Sequence, residues 1–138
     1  GDSSLLRKEL VVLVETSFHI SCEDVKSSFP KNENILTFRY SNPSELGRDS
    51  LDSVALQNLW CATFWETLRN ICKVNDFNRV HLLISSSTDF TFFLAQHYSK
   101  TYDVDIIVYH YDRSNSVRYP WGIDIKKPAN EAVYYRHI

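Results

Sequence analysis

The chain has 138 residues, a length typical of one domain built around a single core. Its composition, 43% hydrophobic and 23% charged, excludes a disordered or fibrous protein, and no apolar run is long enough to span a bilayer. A formal net charge of −2 provides no positive field that would attract long DNA or RNA. The three cysteines lack metal-ligand spacing, so we expect reduced thiols and a cytoplasmic location.

The first half of the chain predicts two strands and one long helix. Residues 10–14 form a continuous, β-branched apolar run, which is typical of a central strand covered on both faces. A loop is expected to lead from this strand to a second one at residues 35–40. Residues 50–74 contain neither proline nor glycine, and their apolar side chains recur at spacings of three and four. That period predicts one face of an amphipathic helix.

The second half continues this alternation. A helix ending near Lys100 is predicted after the first of its strands, because a Ser/Thr cluster precedes an apolar stripe of helical period. Strands are predicted at residues 80–84, 104–109 and 119–125, with a short terminal candidate at 132–135. We therefore predict an α/β fold of Rossmann-like type, with a mostly parallel sheet flanked by helices. We interpret residues 1–8 as a tag remnant or linker stub and residues 9–138 as one domain.

Three loops follow predicted strands at the carboxyl end, where open α/β sheets bind their ligands. The loop at residues 85–89 combines hydroxyl groups, backbone N–H groups and a helix start, which suits a phosphate or another anion. Simple capping of the helix explains this loop equally well, and Asp89 counts against a strongly anion-selective pocket. The candidate ligand-binding residues on the three loops are Thr16, Ser17, Phe18, Ser85, Ser86, Ser87, Thr88, Tyr109, Tyr111 and Arg113.

Other polar residues are weighed in the same way. Residues 110–113 offer a ring to stack on a base and a guanidinium to pair with a phosphate, although a solvated hairpin entry fits them equally well. His81 lies inside an apolar strand and is expected to be a hydrogen-bonded core histidine. His19 follows the first strand and is placed to reach a phosphate. No dinucleotide-binding, P-loop or zinc-binding motif occurs, so we expect neither a cofactor nor a metal.

Two segments of the chain resemble a known family. Residues 80–95 and 105–112, followed by the tyrosine-containing segment 118–123, are similar to the C-terminal half of SAVED domains. In these domains a strand, a short loop and a helix precede a strand that ends in tyrosine and acidic residues. The resemblance spans residues 10–125. It departs from the family pattern where Ser87 stands near a usual proline and Gln96 near a usual glycine.

The resemblance implies a CARF-like fold and a function. SAVED domains recognise cyclic di-, tri- or tetranucleotides made during CBASS or CRISPR-linked antiphage signalling, and ligand binding drives oligomerisation and activates a linked effector. A full SAVED domain fuses two CARF-like halves, whereas this chain has the length of one. We therefore expect it to pair with a second copy, a missing half or an associated effector. The family places its ligand at the positions of Thr16, Ser17, Ser86, Ser87, Thr88, Tyr109 and Tyr111.

Three functional interpretations remain open at the level of sequence. The first is a sensor module without catalytic activity, which binds a cyclic oligonucleotide and shifts an association equilibrium. The second is a CARF-like ring nuclease in which His19 or His110 acts as general base or acid. The third is a protein-interaction module that binds no nucleotide.

Overall fold

The structure is a computed structural model, and it describes residues 9–15, 19–30, 35–39, 54–85, 88–98, 104–112 and 114–135. Residues 1–8, interpreted as a tag remnant or linker, lie outside the described residues. The elements are β1 (Glu9–Glu15), α1 (Cys22–Ser28), β2 (Ile35–Arg39), α2 (Val54–Asn75), β3 (Arg79–Ser85), α3 (Thr88–Gln96), β4 (Asp105–His110), β5 (Trp121–Asp124), a 3₁₀ turn (Ala129–Glu131) and β6 (Val133–Tyr135).

The described strands form one sheet in the order β2-β1-β3-β4-β5-β6. β1 pairs in parallel with β2 and β3, and β3 pairs in parallel with β4. β5 and β6 then complete the sheet with antiparallel pairs. The predicted α/β domain with a sheet flanked by helices is therefore confirmed, and the sheet is mixed, with its antiparallel pairs at one edge.

The apolar run of β1 lies at the centre of the sheet, as its composition predicts. Its even-numbered residues, Leu10, Val12 and Val14, belong to a core shared with α2 and α3. Its odd-numbered residues, Val11 and Leu13, belong to a second core that includes residues of α1. Successive side chains of a strand point to opposite faces, so a continuous apolar run buries both faces at once.

The predicted helix of residues 50–74 corresponds to α2, and its buried side chains follow the helical period. Phe64 and Leu68 are fully buried in the core beneath the helix, together with Cys61, Trp65 and Cys72. The indole Nε1 of Trp65 donates to the carbonyl of Leu94, 3.0 Å away, and so joins α2 to α3. Burial raises the pKa of the Cys61 thiol to about 11, which fits a structural rather than a reactive cysteine.

The loop expected between the first two strands contains a helix, so this prediction was wrong. The Ser21 hydroxyl caps α1 by accepting from the backbone N–H groups of Glu23 and Asp24. Both acidic residues in the first turn also suit the positive end of the helix. Val25 and Phe29 bury the apolar side of this short segment against the sheet.

β5 is shorter than the predicted strand at residues 119–125. Tyr119 lies buried in the connection that precedes β5. Gly122 of β5 pairs with Tyr109 of β4. A Cβ atom at Gly122 would lie 2.7 Å from the carbonyl oxygen of Val108. Glycine at this position therefore lets β5 approach β4 closely. The short terminal strand predicted at residues 132–135 is confirmed as β6.

The order of the strands fixes where a ligand site is expected. The chain moves from β1 to β2 in one direction, then crosses back to β3 and continues to β4. Right-handed crossovers place helices for the two directions on opposite faces, and α1 indeed packs opposite α2 and α3. The helices that follow β1 and β3 thus leave the sheet on opposite sides. The crevice between these carboxyl ends is the topological switch point.

Candidate ligand site at the carboxyl ends of the strands

The tips of β1 and β3 lie side by side at the switch point. Glu15 and Ser85, the last residues of these strands, are register partners, and both are buried. The predicted ligand residues Thr16, Ser17, Phe18, Ser86 and Ser87 lie outside the described residues. Thr88 is the first residue of α3, and the structure describes its backbone only. β3 therefore ends at Ser85, and α3 begins at Thr88.

Glu15 is a fully buried carboxylate at this tip. Its Oε2 accepts a hydrogen bond from the backbone N–H of Ile20 and lies 3.7 Å from Nδ1 of His19. The His19 side chain is 54% exposed. His19 and Ile20 therefore lie against the tip of β1, where the buried Glu15 carboxylate is next to an exposed imidazole. Sequence reasoning missed Glu15, although a carboxylate that ends an otherwise apolar strand is a readable signal.

Tyr109, near the end of β4, lies in the core beneath α1. Its hydroxyl is 2.7 Å from Nδ1 of His81, and Nε2 of the same imidazole is 2.8 Å from Oε1 of Glu9. Phe29 packs edge-on against the Tyr109 ring. The prediction that His81 is a hydrogen-bonded core histidine is confirmed. The Tyr109 hydroxyl is directed toward His81, and a ligand-binding role for Tyr109 stays a prediction.

The connection between β4 and β5 brings a second basic side chain to the same end of the sheet. Tyr111 is 37% exposed, and its hydroxyl donates to Oδ2 of Asp24 over 3.3 Å. Nε of Arg118 lies 3.5 Å from Oδ1 of the same carboxylate. Arg113, the guanidinium predicted from sequence, lies outside the described residues. The sequence analysis did not identify Arg118 as a site residue, because its contact with α1 depends on a turn that the sequence does not reveal.

This connection is attached to α1 along its length. The hydroxyl of Ser27 accepts from the backbone N–H of Arg118 over 3.0 Å, and that of Ser28 accepts from the N–H of Tyr119 over 2.8 Å. Within the connection, Asp112 accepts from the backbone N–H and the hydroxyl of Ser114, which fixes a tight turn. α1 therefore positions Tyr111 and Arg118.

Six of these residues form what we call the paired-charge cluster: Glu15, His19, Asp24, Tyr111, Arg118 and Tyr119. Tyr119 is buried in the same core as Ile20, whose backbone N–H donates to the Glu15 carboxylate. The Tyr111 and Tyr119 rings are in edge contact, with centroids 5.4 Å apart. Burial raises the pKa of the Tyr119 hydroxyl, and the Asp24 carboxylate, Tyr111 and the Glu15 carboxylate raise it further. The two ion pairs therefore lie beside one shared core.

The chemistry available to this cluster is that of anion and ring recognition. An imidazole and a guanidinium supply donors suited to phosphate, and the exposed Tyr111 supplies a surface on which a base can stack. Among the residues that the structure describes, no group of three or more His, Cys, Asp or Glu side chains is arranged to hold a metal ion. None of the described helices has the length and apolar character needed to cross a bilayer.

Comparison with known families decides the identity of this domain. The family model of the SAVED domain, described as the SMODS-associated and fused to various effectors sensor domain, matches residues 2–125. The chain belongs to the SAVED family. No match was found among curated proteins. The matched part of this SAVED sensor domain runs from β1 through β5 and contains the whole paired-charge cluster, whereas β6 lies beyond it.

Proposed function

We propose that this SAVED domain binds a cyclic oligonucleotide at the carboxyl ends of β1, β3 and β4, and that binding signals phage infection. One observation carries the proposal: the switch point between β1 and β3 lies at the end of the sheet where basic and aromatic side chains gather. Sheets of this class bind ligands in that crevice. The parallel pairing of β2, β1, β3 and β4 supports a Rossmann-like, CARF-like unit.

In this proposal each loop has a separate role. Ser86, Ser87 and Thr88 contact a phosphate together with the backbone N–H groups at the start of α3. Residues 16–18 and Arg113 are proposed as further ligand contacts, and Tyr111 stacks on a base. Tyr109 lies beneath these loops with its hydroxyl toward His81, and it supports the ligand site from the core. The ligand thus binds between loops that the β-sheet holds in place.

Ligand binding is proposed to control association. The family description, fused to various effectors, supports coupling of this domain to an effector. A cyclic oligonucleotide carries several phosphates and bases, so two units related by symmetry can each bind part of one ligand. The ligand then stabilises the paired state by its greater affinity for it. We place this sensing in the cytoplasm, because described cysteines outside any disulfide fit a reducing environment.

The test is calorimetry of the protein with a panel of cyclic di-, tri- and tetranucleotides, followed by chromatography of the recovered ligand. We expect tight binding of at least one member, recovery of the intact ring, and a larger particle by light scattering. The double variant Ser87→Ala/Thr88→Ala should lower affinity by about tenfold or more, because hydrogen bonds to a charged group are lost. Thr63→Ala, on an exposed face of α2, is the matched control. Absence of binding across the panel would favour a protein-interaction module instead.

A second candidate function, cleavage of the bound ring, is favoured by the Glu15–His19 pair. A carboxylate that holds one edge of an imidazole is the usual arrangement for a general base. His19 would take the proton of a ribose 2′-hydroxyl, whose oxygen attacks the adjacent phosphorus while the 5′-oxygen leaves with a proton from water. Chromatography separates the two functions, since cleavage yields linear products with a 2′,3′-cyclic phosphate and His19→Gln should abolish them.

A further inference from the structure

The two acid–base pairs of the paired-charge cluster share one arrangement. In each pair the carboxylate is the more buried partner. Glu15 is 0% exposed beneath a His19 side chain that is 54% exposed, and Asp24 is 26% exposed beneath an Arg118 side chain that is 35% exposed. The pairs come from different loops and are joined by α1, which carries Asp24. Two unrelated segments therefore present a base outward from an acid.

This arrangement places the base of each pair on the solvent side. His19 and Arg118 are more exposed than the carboxylates that lie 3.7 and 3.5 Å from them. An approaching phosphate therefore meets a side chain with N–H donors before it meets the carboxylate.

The geometry of the bases suits two phosphodiester groups. Nδ1 of His19 faces Glu15, so Nε2, on the far side of the ring, is directed away from the acid. The guanidinium of Arg118 is planar and matches the oxygens of a phosphate, and the side chain is 35% exposed. Tyr111, which shares Asp24 with Arg118, brings a ring to the same place. An oligonucleotide offers partners for all three side chains, because each of its nucleobases is flanked by two phosphodiester groups.

We propose that His19 and Arg118 each bind a phosphodiester group of the ligand, with Glu15 and Asp24 as the positioning residues that hold them. The inference rests on the proposed function and adds two cationic contacts to the hydroxyl-bearing loops predicted from sequence. It also gives Asp24 a positioning role in an anion site, although Asp24 is itself negatively charged. Although Asp24 repels an anion, it orients both Tyr111 and Arg118.

The experiment measures affinity for the cyclic oligonucleotide that binds best. We expect His19→Gln and Arg118→Gln to lower affinity by about tenfold each, because each removes a charge-assisted hydrogen bond. The logarithm of affinity should also fall less steeply with the logarithm of salt concentration in both variants, an effect that a structural role would not produce. His97→Gln and Lys126→Gln are the controls. His97 lies just after α3, on the other face of the sheet, and Lys126 lies at the opposite end of the sheet.

Asp24→Ala gives the sharpest result. Removing a negative charge beside an anion site should raise affinity if Asp24 acts by repulsion alone. Positioning predicts the reverse, a loss of about threefold to tenfold as Tyr111 and Arg118 lose their common partner. Higher affinity in this variant, with its fold intact by circular dichroism, would overturn the positioning role.

A second probe separates this inference from the proposed function. Titration of the protein with inorganic pyrophosphate should shift the NMR signals of the His19 imidazole, and Arg118→Gln should weaken that shift. If pyrophosphate binds in this way but no cyclic oligonucleotide does, the anion site stands and the proposed function fails. If a cyclic oligonucleotide binds equally well to wild type, His19→Gln and Arg118→Gln, the inference alone is wrong. If neither anion binds, both fail.

Discussion

The two ends of the parallel strands carry the same kinds of charged residue in opposite arrangements. At the amino end, Arg79 is 17% exposed and lies beneath Glu9 at 31% and Asp105 at 39%. At the carboxyl end the order is reversed, because His19 and Arg118 are more exposed than Glu15 and Asp24. Among these described ion pairs, the carboxylates are the more exposed partners at the amino end, and the bases are the more exposed partners at the carboxyl end.

The pairs also differ in what they join. Glu9, Arg79 and Asp105 are successive register partners on β1, β3 and β4, so their ion pairs tie neighbouring strands together. The carboxyl-end pairs instead join a strand tip or a helix to a loop. Charges between strands stabilise the sheet, whereas the proposed role of the charges between loops is to hold side chains in position for a ligand. The predictions below test that division, from the largest expected effect to the smallest.

The largest effect is expected from breaking the hydrogen-bonded chain of Glu9, His81 and Tyr109, which runs inward from the amino end. His81→Ala removes the partner of both the Tyr109 hydroxyl and the Glu9 carboxylate and leaves a cavity beneath Phe29. We expect a loss of about 3–5 kcal/mol in the free energy of unfolding, measured with urea. Because the Tyr109 hydroxyl contacts His81, the ligand affinity of the folded variant reports whether this polar chain supports the site as well as the core.

Tyr109→Phe is the milder companion of that variant, with an expected loss of about 1–3 kcal/mol from the missing hydroxyl partner of His81. It also tests the site directly. A loss of affinity without a matching loss of stability would show that the Tyr109 hydroxyl leaves the core to contact the ligand.

A smaller effect is expected where the β4–β5 connection attaches to α1. Ser28→Ala leaves the buried N–H of Tyr119 without its acceptor, so the free energy of unfolding should fall by about 1–3 kcal/mol. Ser27→Ala removes a less buried contact to Arg118 and should cost about 1 kcal/mol or less. Thermal unfolding of the two variants gives the comparison. Equal losses would mean that burial of the Tyr119 N–H does not govern this attachment.

These contacts show how far the sequence leads. A continuous apolar run was enough to predict β1, and the helical period of apolar residues was enough to predict α2. The alternation of such strands and helices then predicted the α/β class. α1 was missed because it has only seven residues, too few for its apolar positions to repeat. The cap at Ser21 and the acids after it were its only clear signal.

The site was less predictable than the fold. The sequence predicted three loops at the carboxyl ends of strands, whereas the switch point between β1 and β3 follows from the strand order in the structure. Which side chains meet there depends on long-range contacts such as Asp24 with Arg118, which are far apart in sequence. Tyr109 shows the same limit, since its sequence position gives the strand end but not the direction of its hydroxyl.

The smallest effect is expected at the outermost ion pair of the amino end. Lys126 lies 3.9 Å from Asp105, and both side chains are partly exposed to solvent. Lys126→Gln should lower the free energy of unfolding by about 0–1 kcal/mol, and high salt should reduce the difference further by screening the pair. Urea unfolding at low and high salt measures both values. Because this pair lies at the end that presents carboxylates, ligand affinity should not change. Weaker ligand binding by Lys126→Gln would mean that the anion is bound at the amino end, and the contrast between the two ends would then be wrong.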